Sequence, residues 1–89
     1  MPLVDVHLPA TLPPLFDALP RRVEVDAGSV AEVLDRMDER WPGLRDRLAE
    51  PGPVLRPHIN VYVDREPADL GTRLAQGARV DVIAAISGG

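Results

Sequence analysis

Between Ser29 and Trp41 the apolar residues Val30, Val33, Leu34, Met37 and Trp41 recur at i, i+3, i+4, i+7 and i+11. That is one stripe on a helix of 3.6 residues per turn. Asp35, Arg36, Asp38, Glu39 and Arg40 fill the other side. Ser29 and Glu32 have capping-box spacing, so the hydroxyl can accept an orphan N–H while the carboxylate reaches back. Pro42-Gly43 stops the helix, and the proline restrains Trp41 toward extended geometry. This is the clearest element, and what surrounds it alternates instead. Val4, Val6 and Leu8, then Val23 and Val25, then Ile59, Val61 and Val63 share one parity within their runs. Val80, Val82, Ala84 and Ile86 do the same near the end, although Ile83 and Ala85 make the opposite face apolar as well. One main helix and several short strands predict a small α+β roll, the helix covering one sheet face.

The connections are read from their punctuation. Ala10 to Pro20 holds Pro13, Pro14 and Pro20 among Leu12, Leu15, Phe16 and Leu19, which predicts a broken or single-turn helix along the domain edge. Leu44 and Leu48 flank Arg45-Asp46-Arg47 and predict one more helical turn. Glu50-Pro51-Gly52-Pro53 reads as a surface loop and Asp64-Arg65-Glu66-Pro67 as a turn. Leu70 and Leu74 bracket a short irregular segment before Gln76-Gly77 turns the chain again.

Size and charge narrow the function. Eighty-nine residues suffice for one domain and one layer of helix on sheet, which excludes a multidomain enzyme and a dinucleotide-binding double unit. The net charge is −4, and all ten basic residues are arginine. Ten acids and six arginines lie in residues 1–50, so the first half holds the whole excess. Such a balance argues against nucleic acid and favours a basic or locally basic protein partner. Cysteine is absent, which excludes disulfides, thiolate zinc sites and a nucleophilic thiol. No signal peptide or membrane-spanning run is visible, so a cytoplasmic location with no membrane partner is expected.

Few residues qualify for chemistry of their own. His7 and His58 are the only histidines and have no metal-ligand spacing, so no metal is expected. Ser29 is explained by capping, and Asp35, Asp38 and Glu39 by a solvated helix face. The informative feature is Ser87-Gly88-Gly89 after an apolar strand. A Gly-Gly end has no side chains, can enter a channel too narrow for a Cβ, and presents an unhindered carboxylate. The expected organisation is a domain over residues 1–86 and a flexible tail over 87–89.

Three stretches, VEVDAGSVAEVLDRMDERWPGLRDRL at 23–48, LRPHINVYVDRE at 55–66 and GARVDVIAAISGG at 77–89, resemble the small ubiquitin-like sulfur carriers of the MoaD and ThiS type. Asp64-Arg65 stands where that family usually turns on Asn-Gly. The resemblance implies a β-grasp (ubiquitin-like) roll, a mixed four- to five-stranded sheet packed on one main helix. It also implies a carrier rather than an enzyme. An E1-like adenylyltransferase, using ATP and Mg²⁺ that the carrier itself does not bind, would adenylate the carboxylate of Gly89. Gly88 would complete the tail motif. A sulfur donor or sulfurtransferase would then leave a thiocarboxylate, delivered to a downstream synthase subunit for molybdopterin, thiamin or cysteine biosynthesis. Ile83, Ala85, Ile86 and Ser87 are the candidate docking patch. The alternatives are a ubiquitin-like interaction or regulatory domain without covalent chemistry, and a protein modifier.

Overall fold

A computed structural model describes residues 2–51 and 54–84. Strand β1 (Leu3–His7) runs antiparallel to β2 (Arg22–Asp26), and a single 3-10 turn over Pro13–Leu15 lies in the connection between them. Helix α1 (Val30–Arg40) and the short α2 (Leu44–Leu48) follow. After them come β3 (Ala49–Glu50), β4 (Val54–Leu55), β5 (Ile59–Val63), β6 (Glu66–Ala68) and β7 (Arg79–Ala84). The main sheet has five strands in the order β2-β1-β7-β5-β6. Only the central β1–β7 pair is parallel, so the sheet is mixed. This is the expected β-grasp roll: a mixed sheet on one dominant helix. None of the described helices is long and apolar enough to cross a membrane.

Alternation decides the sheet's two faces. Val4, Val6, Val23, Val25, Val61, Val80 and Val82 are buried against Val30, Val33, Leu34 and Met37 of α1 in one apolar cluster. Trp41, Leu44 and Leu48 extend that core below the helix, as the sequence spacing predicts. The residues between them face the other way: Asp5, His7, Arg22, Glu24, Tyr62, Asp81 and Ile83 form the uncovered face of the sheet. Among the described residues no polar or charged side chain is fully buried.

The helix is held at its start by four separate acceptors. Ser29 Oγ accepts from Glu32 N at 3.2 Å, and Glu32 Oε1 accepts from Gly28 N at 3.0 Å, the reciprocal pair read from the spacing. Val30 N and Ala31 N donate to the carbonyls of Thr72 and Leu70. The irregular Leu70–Leu74 segment therefore closes the helix N-terminus with its backbone while Leu70 and Leu74 enter the core. At the other end Asp38 Oδ1 accepts from Gly43 N and Arg45 N, both at 3.0 Å, and Asp35 pairs with Arg45 at 2.8 Å. Gly43 adopts φ +95°, the left-handed geometry that lets α2 start directly after α1. Asp35 and Asp38 thus brace the two helices rather than only solvating a face.

Two connections differ from expectation. Glu50, read as the start of a surface loop, instead lies in a two-stranded ribbon, Ala49 opposite Leu55 and Glu50 opposite Val54. Glu66-Pro67, read as part of a turn, begins strand β6 instead. Proline is tolerated there because β6 is the sheet edge and its missing N–H faces outward. The turn itself is Asp64-Arg65, with φ +49° and +73°, the double positive geometry of a tight hairpin. Asp64 offsets that strain by tying the turn to β7: its backbone N donates to Arg79 O at 2.8 Å, and its Oδ1 accepts from Arg79 N at 2.9 Å.

Candidate functional site

Strand β7 leads to residues 85–89. Ala85, Ile86, Ser87, Gly88 and Gly89 lie outside the described residues, so the expected tail and most of the expected docking patch lie there as well. Ile83 is described, and it is 47% exposed on the uncovered face of the sheet, opposite Asn60 of β5.

The parallel pairing of β1 with β7 sets what surrounds Ile83. His7 is in register with Asp81 on one side and with Arg22 on the other, and Asp81 is in register with Tyr62. Asp5, one strand turn before His7, accepts from Arg22 Nε at 2.8 Å through Oδ1. A second Arg22 nitrogen lies 2.8 Å from Asp5 Oδ2, making a bidentate pair. His7 Nε2 stands 3.1 Å from the same Oδ2. The Arg22 hydrogen bond holds the Asp5 carboxyl below its ordinary value; partial burial opposes this, and His7 adds to it. Arg79 and Asp81, two apart on one strand and so on one face, form another bidentate pair at 2.9 and 3.1 Å, which raises the Arg79 guanidinium further. These pairs order the polar face, and neither arrangement activates a nucleophile.

Two grooves meet where the described chain ends, and both include Pro9 and Ala84 in their walls. The larger, about 580 Å³, runs under Leu12 and Leu15 toward Arg47, Arg56 and His58. The smaller, about 390 Å³, lies over His7, Arg21, Arg22 and Arg79. Arg56 Nε donates to the Asp46 carbonyl at 2.6 Å. Pro9 has no N–H with which β1 could extend its pairing, and β1 leaves β7 at His7. His7 and His58 therefore lie on opposite sides of the β7 end. Among the described residues no group of three or more His, Asp or Glu could hold a metal ion. The alternation of Val4, Val6, Val23 and Val25 leaves Asp5, His7 and Arg22 on the opposite face, but their convergence with β7 needs the strand order.

The family model described as the ThiS family matches residues 6–89. Among solved structures the chain is similar to the Amycolatopsis orientalis BexX/CysO complex, with 28% identity and a TM-score of 0.86 over 97% of this chain and 99% of that one. It is similar to SAMP1 from Haloferax volcanii, with 31% identity and a TM-score of 0.81 over 98% and 99% of the two chains. It is also similar to Mycobacterium tuberculosis CysO, with 26% identity and a TM-score of 0.82 over 93% and 99%. A search of curated proteins gave no match.

Proposed function

This chain belongs to the ThiS family of ubiquitin-like sulfur carriers, proteins that serve as carriers or modifiers and not as enzymes, and we propose that its reactive group is the C-terminal carboxylate of Gly89. The observation that carries the proposal is the reach of the family match, which continues past the described roll through Gly88 and Gly89.

A carboxylate at neutral pH is a poor electrophile. In the proposed step a Gly89 carboxylate oxygen attacks the α-phosphorus of ATP and pyrophosphate leaves. Sulfide sulfur, delivered by a donor, then attacks the acyl carbon and AMP departs, leaving a thiocarboxylate. The positive charge and Mg²⁺ needed for the first step belong to an E1-like adenylyltransferase, since the sequence holds no glycine-rich phosphate-binding motif. The pairing of a CysO with BexX in the Amycolatopsis complex supports a carrier that works in the hands of a partner. The sequence has neither Lys nor Cys, so no side-chain amine or thiol of the carrier can intercept its own activated terminus. The test is ATP–pyrophosphate exchange by the cognate activating enzyme. Exchange should depend on this chain and vanish when one residue is added after Gly89. Undiminished exchange with the extended chain would defeat the proposal.

A second reading, conjugation to other proteins, is favoured by the 31% identity to SAMP1, a small archaeal modifier protein. It uses the same terminus and is separated by searching for Gly-Gly remnants on lysines of cellular proteins.

A further inference from the structure

Charge is sorted along this molecule in a way its total conceals. Five of the ten arginines and both histidines border the two grooves that meet at Pro9 and Ala84. Only two of the fourteen carboxylates, Asp46 and Asp81, do so. The chain as a whole carries −4, yet the walls of these two grooves hold three more arginines than carboxylates, with Asp5 held on Arg22 beside them. Six of the other acids lie on α1 and the far half of β2, where Glu24, Asp26 and Glu39 border a separate groove together with Arg36 and Arg40. Among the described residues Arg21, Arg47 and Arg56 have no carboxylate partner within salt-bridge distance.

We propose that this arginine collar docks on an acidic rim surrounding the cleft of the protein that receives the carrier's terminus. The inference rests on the carrier reading above and adds the chemistry of the partner's surface. Net charge favours a basic partner for the α1 side; the collar favours an acidic one where the terminus enters. Uncompensated arginines steer encounter and fix register without requiring a large buried area. A protein rim fits better than nucleic acid because the collar also carries apolar surface. Leu15 and Ile83, 53% and 47% exposed, border the same grooves and offer apolar contact to a protein surface.

The experiment compares two double reversals of equal net charge. Arg21→Glu with Arg47→Glu strips the collar; Arg36→Glu with Arg73→Glu makes the same change away from it. Circular dichroism first establishes that both fold. Affinity for the cognate activating enzyme is then measured by titration calorimetry without ATP, at several salt concentrations, so that docking is read apart from chemistry. The collar variant should bind about tenfold more weakly, with a flatter salt dependence, while the control stays within about twofold of wild type. Equal behaviour of the two variants would overturn the inference. So would collar-dependent binding of a single-stranded oligonucleotide at the same ionic strength. A wild-type chain that binds through the collar but is never adenylated would retire the proposed function and leave the docking surface standing.

Discussion

Replacing Ser29 by Ala removes one hydrogen bond and exposes one backbone donor. The donors of Val30 and Ala31 keep their carbonyl partners at Thr72 and Leu70, so only Glu32 N is orphaned. The expected loss is therefore near the middle of the usual range for a cap, about 1 kcal/mol. Glu32→Ala frees Gly28 N, and that loss, again about 1 kcal/mol, is partly offset by the helix propensity of alanine. The two bonds close one turn, so removing both should cost less than the sum by about 0.5 kcal/mol. Unfolding entropy of about 2.1 cal/mol/K per residue gives roughly 190 cal/mol/K for this chain, so 1 kcal/mol lowers Tm by about 5 °C. The assay is a double-mutant cycle followed by thermal and urea unfolding, with Ser29→Thr as the conservative rescue. A Ser29→Ala protein within about 0.2 kcal/mol of wild type, or strict additivity in the cycle, would refute the view that the pair acts reciprocally.

Leu34 is 1% exposed at the centre of the α1 contact with the sheet, so Leu34→Ala should cost about 2–5 kcal/mol and approach global unfolding at 37 °C, as measured by urea denaturation. Asp5 is held below 3.8 in the folded chain, so its contribution is present above that value and is lost as pH falls through the lower folded value. Asp5→Asn should therefore be less stable than wild type near neutrality, by no more than about 1 kcal/mol because Arg22 is exposed, and the difference should close in acid. A difference that grew in acid would reverse the sign of the linkage.

What the sequence discloses is set by period. The α1 stripe, its capping pair and the alternating valines each repeat often enough to exclude the other secondary structure, and α1, β1, β2, β5 and β7 lie where those patterns place them. The ribbon of Ala49–Glu50 with Val54–Leu55 has two residues a side, too few for any period to show. Strand β6 was hidden by Pro67, whose tolerance depends on an edge position that only the strand order reveals. The proposed terminus can be read from the sequence, and the surroundings of the β7 end cannot. Gly88 and Gly89 stand out by composition, whereas His7, Arg21 and Arg56 gather around the end of β7 only because β1 pairs with β7 in parallel and β5 flanks it antiparallel. Asp38 could not be distinguished from a solvated helix carboxylate, because the donors it accepts from, Gly43 N and Arg45 N, lie at the start of the next helix.

Intact mass spectrometry after incubation with the cognate activating enzyme, ATP, Mg²⁺ and a sulfide source tests the central claim most directly. Exchange of one carboxylate oxygen for sulfur should raise the mass by about 16 Da, with fragmentation placing the change on Gly89 and none appearing when Gly89 is deleted. An unchanged mass, from an enzyme that demonstrably activates another carrier, would contradict the account.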